Sequence, residues 1–328
     1  SDISRFSFSL LAPCRAMTAR GLRVNETLRQ ERLAALTAAA EQQRAAVEPI
    51  ITELKERLQS RNLYWKAGKV CRTCRNGSKK RLFCTSCNGK GKGDTSFSFN
   101  LGSEQQLKDV LYNGLKLPKR TQDGKLVSDE EALQSLVALD KSGFVAAALR
   151  FAKLDTMRGI YERLEPGVDG HVRTVFNPAG TYTGRFSSAE AFYVPHSTNL
   201  QNLPGELEAA RNPLYAVRDC IVPDPGEVFL YADLSQSEAR IVARLCDDRL
   251  LMDLWEQGRD IHKWTASAIY GCKEEEVTAE QRYVGKRARH ALNYGEGPNK
   301  FWRVVNADAD VTGVAITLAE AKRIHGAY

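Results

Sequence analysis

The chain has 328 residues, of which 43% are hydrophobic and 27% charged, the composition of a globular protein with room for two or three structural units. It has no apolar run near the roughly 20 residues of a membrane-spanning helix and no N-terminal pattern of a secretion signal. Its net charge of +7 favours a polyanionic partner.

Two long helical segments are predicted in the first half of the chain. In residues 25–60, apolar residues recur at helical spacing among Glu, Gln, Arg and Ala, and Pro49 is expected to kink the helix. A second helix is predicted over residues 128–164, where Ser128 and Glu131 have the spacing of a capping box. We expect the two helices to pack antiparallel as an arm.

A basic, cysteine-rich segment separates these helices. Residues 57–93 contain eleven Lys or Arg residues and no Asp or Glu. Four of the eight cysteines form two Cys-x2-Cys hooks that are nine residues apart: Cys71, Cys74, Cys84 and Cys87. Four thiolates at this spacing can bind one Zn²⁺ tetrahedrally, and such short loops have little other means of folding.

The alternatives for these cysteines are four reduced thiols in a loop or two disulfides. Without a secretion signal we expect a reducing compartment, where such hooks more often bind metal, and therefore a zinc-binding insertion over residues 61–93. Its basic side chains, among them Lys79, Lys80 and Arg81, suit contacts with nucleic-acid phosphates. The alternative role is a structural clip with a solvated basic face.

The second half of the chain begins with two predicted strands, residues 171–176 and residues 228–233, and is mostly helical from residue 247. The second strand ends at Asp233 and leads through a polar turn into a helix from about Ser237. A carboxylate at a rigid strand end can hold the cations of a two-metal nucleotidyl transferase. Taken alone, an Asp at a strand end is a common structural feature.

A helix over residues 279–294 carries a polar stripe. Thr278 and Gln281 have capping-box spacing, and Gly295 is a natural stop. The stripe recurs every four residues: Arg282, Lys286, His290 and Tyr294. Such a stripe can hold a triphosphate and stack a base or sugar at its end, or it can be a solvated face.

The segment that surrounds Asp233 reads Tyr231-Ala-Asp233-Leu-Ser-Gln236-Ser-Glu238-Ala-Arg240. It resembles motif A of the family A DNA polymerases. The resemblance implies that Asp233 binds both Mg²⁺ ions, that Gln236 belongs to the nucleotide site, and that Glu238 closes over the sugar and disfavours a ribose 2′-hydroxyl. Leu234 replaces the aromatic residue that is usual in this motif.

Two upstream segments resemble further motifs of the same family. They read Thr183-Gly-Arg185-Phe-Ser-Ser188 and Asn199-Leu-Gln201-Asn202-Leu-Pro204. The resemblance implies DNA binding by Arg185, Asn199, Gln201 and Asn202. Such donors can reach the minor-groove acceptors that every correct base pair presents. The alternative is a polar loop whose side chains satisfy its own backbone.

The helix over residues 279–294 resembles motif B, whose pattern is Arg-x3-Lys-x3-aromatic-Gly. Counting back from Tyr294 places His290 at the Lys position and Lys286 at the Arg position. Either His290 protonates the pyrophosphate leaving group, as an imidazolium can near neutral pH, or Lys286 reaches in from one turn away. Looser matches suggest triphosphate contacts for His262 and Arg218, which are otherwise ordinary surface residues.

The resemblance implies an α+β fold with the right-hand polymerase architecture and a small zinc module built on four cysteines. We expect a helical thumb over residues 1–165 with the zinc insertion, the first part of the palm with motif A over residues 166–246, and helical fingers over residues 247–328. The second part of the palm, with its catalytic carboxylate, is absent from this sequence.

The function implied is that of a template-directed DNA polymerase that adds deoxynucleotides to a primer 3′-hydroxyl with two Mg²⁺ ions, beside one structural Zn²⁺. Its partners are primer-template DNA, deoxynucleoside triphosphates and a possible second polypeptide that completes the palm, with no membrane. The insertion suggests a phage-type enzyme, and the location is the cytoplasm, that of a bacterial host if phage-encoded. The alternatives are a non-catalytic primer-template-binding fragment or split subunit, and a single-subunit RNA polymerase, which Glu238 disfavours.

Overall fold

A computed structural model describes residues 2–59 and 99–327 and divides the chain into two compact units. The first comprises Ser1–Leu203 and Asp219–Val222, and the second comprises Pro204–Arg218 and Pro223–Tyr328. The boundaries of thumb, palm and fingers given above stay a prediction. The zinc-binding insertion, with its four cysteines and with Lys79, Lys80 and Arg81, lies outside the described residues.

The first unit begins with four elements: α1 (Asp2–Ser9), α2 (Leu11–Arg20), β1 (Leu22–Val24) and α3 (Glu26–Gln59). The long helix α3 confirms the first predicted helix and contains Pro49. It packs along α6 (Phe144–Arg163), and the apolar face between them is buried. Arg29 donates to the carbonyl of Tyr161 at 2.8 Å, and Arg150 donates to Gln43 at 3.0 Å, so the two helices are antiparallel, as predicted.

The second predicted helix is wrong in its extent, because the chain folds it as two helices. After α4 (Glu104–Asp109) and a π-helical turn (Val110–Gly114) come α5 (Glu130–Val137) and α6. Asp129, not Ser128, caps α5 and accepts a hydrogen bond from the amide of Ala132 at 2.9 Å. Asp140 then accepts from the amides of Ser142 and Val145, which replaces helical bonding between α5 and α6.

The strands of the first unit are short and form three small sheets. β1 lies between β4 (His171–Val172) and β7 (Ile221–Val222) and is antiparallel to both. β2 (Thr121–Gln122) pairs with β3 (Lys125–Leu126), and β5 (Val175–Asn177) pairs with β6 (Ser187–Ala189). The single strand predicted over residues 171–176 is therefore two strands of different sheets, separated where the amide of Arg173 donates to the carbonyl of His196.

The strand predicted over residues 228–233 is also wrong. These residues have no regular secondary structure and pair with no strand among those described, and the side chains of Leu230 and Tyr231 are 94% and 88% exposed. A strand requires a neighbouring backbone for its hydrogen bonds, and periodicity alone does not supply one. Asp233 therefore ends an exposed segment, not a buried strand.

The second unit is helical over the residues described. Its helices are α7 (Glu206–Arg211), α8 (Ser237–Leu245), α9 (Arg249–Glu256), α10 (Ile261–Tyr270), α11 (Ala279–Asn293), α12 (Pro298–Ala307), α13 (Ala309–Thr312) and α14 (Leu318–Ala327). One buried cluster includes Phe301 and Val305, and another includes Leu254 and Ile261. Across residues 2–59 and 99–327, no helix is both long and apolar enough to cross a membrane.

Candidate nucleotide site and nucleic-acid surface

A cleft of about 690 Å³ lies in the second unit between the start of α8 and the second half of α11. It is lined by seven of the predicted site residues: Asp233, Gln236, Glu238, His262, Lys286, His290 and Tyr294. It is also lined by polar residues that sequence reasoning missed: Ser235, Ser237, Arg287, Arg289 and Asn293. The structure therefore gathers one carboxylate-bearing wall and one cationic wall around a common space.

The first wall is the turn that leads into α8. Gln236 adopts a left-handed backbone with φ +56°, a conformation that costs about 1–3 kcal/mol for a residue other than glycine. Its side-chain oxygen accepts a hydrogen bond from the indole of Trp255 at 3.1 Å. The guanidinium of Arg240 lies over the ring of Trp255, 5.2 Å from its centroid. These contacts fix the turn that presents Asp233 and Glu238 to the cleft.

The second wall is α11, whose start is fixed as predicted. The amide of Gln281 donates to the hydroxyl of Thr278 at 3.2 Å, and the amide of Thr278 donates to the side chain of Gln281 at 3.0 Å. The helix ends at Asn293, and Gly295 follows with φ +67°. This places the last three residues of the predicted stripe on the cleft.

The first residue of the stripe, Arg282, does not line the cleft. Its guanidinium donates to Asp260 at 2.7 Å, and Asp260 also caps α10 by accepting from the amides of His262 and Lys263. Burial opposes ionisation of Asp260, but the hydrogen bond from Arg282 and those amides outweigh it and lower its pKa. In this structure Arg282 holds α10 against α11.

Gly285 allows α10 to approach α11 closely enough to bring His262 to the cleft. A Cβ atom at position 285 would lie 2.5 Å from the carbonyl oxygen of His262 and 2.9 Å from the amide of Ala266. Burial is the main reason that the pKa of His262 is lowered, and the nearby cations act in the same direction. Its Nδ1 atom is buried and has no hydrogen-bond partner among the residues described. A ligand oxygen that donates a hydrogen bond to this nitrogen, or accepts one from it, would supply the missing partner.

A hydrogen bond joins the two walls. The phenol of Tyr294 donates to Glu238 at 2.6 Å, and the ring of Tyr294 lies 5.1 Å from the ring of His290. The carboxylate in the predicted sugar position thus meets the aromatic residue at the end of the stripe. Both side chains are exposed, so a ligand can reach them.

Arg287, one of the residues that were missed, is held at the rim of the cleft. Its guanidinium donates to Asp308 at 2.5 Å and to the hydroxyl of Tyr283 at 3.0 Å. Asp308 also accepts from Arg211 at 3.0 Å, and Arg211 pairs with Asp310. Helical spacing offered a signal for Arg287, because it precedes His290 by three residues and Tyr294 by seven.

Four of the predicted DNA-binding residues lie close together in the first unit and are here called its predicted DNA-binding surface: Arg185, Asn199, Gln201 and Asn202. Asn199 accepts hydrogen bonds from the hydroxyl of Ser188 at 2.6 Å and from the amide of Gln201 at 3.1 Å, which joins the two predicted motifs. The side chain of Gln201 donates to the carbonyl of Phe186 at 3.4 Å. Arg185, Gln201 and Asn202 are exposed.

Two further predictions concern residues away from the cleft. Arg218 is exposed in the turn Val217–Cys220 and does not line the cleft of its unit. In the part of the chain that is described, no three His, Cys, Asp or Glu side chains are grouped so as to hold a metal ion. Asp233 lines the cleft as an exposed carboxylate, and Glu238 accepts a hydrogen bond from Tyr294.

Comparison with known proteins identifies the class of this fold, a helix-rich α+β polymerase domain. The solved structure described as the POL domain of Pol1 from M. smegmatis in complex with DNA primer-template and dNTP has a TM-score of 0.57 and 25% identity, covering 97% of this chain and 46% of that one. The model of DNA polymerase family A matches residues 89–328. The chain belongs to DNA polymerase family A.

Curated relatives agree with this family. DNA polymerase I of Helicobacter pylori is 35% identical over 236 residues, which cover 70% of this chain and 23% of that protein. DNA polymerase I of Mycobacterium tuberculosis is 37% identical over 203 residues, which cover 60% of this chain and 21% of that protein. The chain thus spans less than a quarter of the length of these relatives.

Proposed function

We propose that this chain carries the thumb, the first part of the palm and the fingers of a DNA-directed DNA polymerase, which extends a primer 3′-hydroxyl with deoxynucleotides. The observation that supports this most is the cleft, because it combines Asp233 and Glu238 on one wall with Lys286, His290 and Tyr294 on the other. The solved relative is described as holding primer-template and a deoxynucleoside triphosphate, the same ligand chemistry.

Each wall has a distinct role in this proposal. Lys286 and His290 bind the triphosphate, and His262 donates to or accepts from it at the buried nitrogen. Tyr294 supports the base or sugar, and its hydrogen bond holds Glu238 where a ribose 2′-hydroxyl would clash. Either His290 or Lys286 supplies the proton to the leaving pyrophosphate. Gln236 keeps the turn in place through Trp255.

Asp233 is suited to be a ligand of catalytic Mg²⁺, because it is an exposed carboxylate at the cleft and Mg²⁺ uses one or two protein carboxylates together with substrate phosphates. When bound, Mg²⁺ supplies electrostatic stabilisation of the transferring phosphoryl group. A second carboxylate, from outside these residues or from a second polypeptide, completes the metal site.

Three finer proposals rest on the sequence. The four cysteines bind one structural Zn²⁺, and their basic surroundings grip the duplex phosphates. The insertion favours a phage-type enzyme acting in the bacterial cytoplasm. Arg185, Asn199, Gln201 and Asn202 contact the minor groove of the product duplex, and Arg218 contacts the triphosphate.

The test is a labelled primer-template incubated with the purified chain, Mg²⁺ and deoxynucleotides, with binding measured beside extension. We expect this chain alone to bind primer-template tightly and to extend the primer little. Templated extension should appear when a polypeptide that supplies the second carboxylate is added. Asp233→Asn should abolish that extension, whereas the control Asp253→Asn, on an exposed face of α9, should not. Absence of primer-template binding would refute the proposal, and failure to extend with both carboxylates present would favour a non-catalytic binding protein.

A further inference from the structure

Residues 191–197, here called the aromatic loop, form a closed loop on the first unit. Its neck is the hydroxyl of Ser197, which accepts from the amide of Ala191 at 2.9 Å and donates to the carbonyl of Ala191 at 3.1 Å. Ser197 is itself buried, and Arg173 bonds the chain on both sides of it, through the carbonyl of His196 and the amide of Thr198. The loop is therefore fixed at its base.

The aromatic loop presents two aromatic side chains to solvent. Phe192 is 100% exposed and Tyr193 is 65% exposed, and their rings meet edge to face with centroids 5.3 Å apart. Neither ring belongs to the buried core of the described residues. Burial within the unit therefore does not explain a loop whose base is hydrogen-bonded and whose tip is aromatic.

A cavity of about 510 Å³ opens beside this loop and is mainly apolar. Tyr193 and Pro195 form one side, and residues of α2 and β5 form the other: Leu11, Cys14, Thr18, Val175 and Phe176. Two arginines also line it. Arg173 pairs with Asp169 at 2.5 Å, and Arg15 is exposed on α2. An apolar, aromatic-walled space bordered by an exposed cation, Arg15, matches a nucleobase and its phosphate.

The position of the loop in the chain indicates the same ligand. It joins β6, which follows Arg185, to Asn199, and both residues belong to the predicted DNA-binding surface of this unit. A base inside a duplex has both faces covered by neighbouring base pairs, so an exposed ring can stack only on an unpaired or terminal base.

We propose that the aromatic loop and its cavity bind an unpaired base of single-stranded DNA, with Arg15 contacting the adjoining phosphate. This rests on the proposed function, because it places the unpaired part of a primer-template on the first unit. Tyr193 lines the cavity and Phe192 extends the aromatic surface beside it, so both rings can supply stacking, and Arg15 supplies charge. The two contributions separate experimentally, because only the second depends strongly on salt.

The test measures affinity of the full chain for a primer-template with a single-stranded overhang and for the blunt duplex of the same sequence. Replacing both rings, Phe192→Leu with Tyr193→Leu, should weaken binding of the overhang about tenfold and leave binding of the blunt duplex unchanged. Phe192→Tyr, which keeps a ring, should retain affinity. Since Phe192 is wholly exposed, the variants should fold normally, which thermal unfolding would verify.

Salt dependence provides the second readout. Arg15→Gln should lower the slope of log affinity against log salt by about 0.7, and the double leucine variant should leave it unchanged. Leu139→Ala, an exposed apolar residue of the same unit, serves as the control and should change neither quantity.

Three outcomes would overturn the inference: equal affinity for the overhang in all variants, an equal loss for the blunt duplex, or a change in self-association without a change in DNA affinity. In each case primer-template binding by the unaltered chain would still support the proposed polymerase function.

Discussion

Asp308 offers a sharp test of how the second unit is held together. Its carboxylate accepts from Arg211 at 3.0 Å, from Arg287 at 2.5 Å and from the hydroxyl of Tyr283 at 3.1 Å. The three charged side chains are 15%, 21% and 29% exposed for Asp308, Arg211 and Arg287, so the cluster is mostly shielded from water. It joins α7, α11 and the end of α12.

We expect Asp308→Ala to lower the free energy of unfolding by about 2–3 kcal/mol. Removing one partner of a buried ion pair costs about 3–5 kcal/mol, and the partial exposure of this cluster reduces that value. Asp310→Ala is the matched control, because Asp310 also pairs with Arg211 but is 59% exposed. That change should cost about 0–1 kcal/mol.

Urea unfolding followed by tryptophan fluorescence would measure both values. Three of the four tryptophans, Trp255, Trp264 and Trp302, belong to the second unit, so the signal reports mainly on that unit. The reasoning would be refuted if Asp308→Ala stayed within about 0.5 kcal/mol of the unaltered chain, a difference typical of surface changes. An equal loss for Asp310→Ala would refute it as well.

Four further predictions follow from the sites. Lys286→Ala should weaken deoxynucleotide binding about tenfold through loss of a charge-assisted phosphate contact, as measured by titration with a fluorescent deoxynucleotide; unchanged affinity would exclude that contact. Tyr294→Phe removes the donor to Glu238 and should reduce the preference for deoxy- over ribonucleotides in the same assay. An unchanged preference would show that discrimination against ribonucleotides does not depend on this hydrogen bond. The pKa of His262 is lowered below 6.5 in the folded chain, so the unfolded chain binds a proton more readily. The free energy of unfolding should therefore fall as the pH drops below 6.5. Urea unfolding at several pH values would measure this slope, which His262→Gln should flatten. Elemental analysis should find one zinc per chain, lost with Cys71→Ser; a metal-free unaltered chain would contradict the zinc site.

The sequence predicted the start and course of α11 more accurately than the sheets. Capping chemistry and helical spacing are local, so Thr278, Gln281 and the positions of Lys286 and His290 followed from residues within a few turns. The break between α5 and α6 was missed because Asp140 competes with helical bonding through its side chain, a choice that periodicity does not register.

Long-range contacts explain the other differences. Strand pairing depends on partners distant in the chain, which is why residues 171–176 divide between two sheets and residues 228–233 pair with none of the described strands. The ion pair that holds Arg282 was not foreseen either, because its partner, Asp260, is 22 residues away in sequence. Arg287 was missed although it lines the cleft. Its partner, Asp308, is 21 residues away in sequence, so the contact that holds Arg287 could not be predicted from its neighbours in the chain.

The exposed segment 228–233 has a practical consequence for the solution behaviour of the chain. Four consecutive residues, Val228 to Tyr231, are apolar, exposed and outside any helix or sheet, a pattern that promotes strand addition between molecules. Acidic residues flank it, Glu227 before and Asp233 after, and such charges act as gatekeepers against aggregation. The carboxylate proposed for metal binding therefore also protects solubility, so an inactive variant that lacks this charge should be handled at lower protein concentration than its parent.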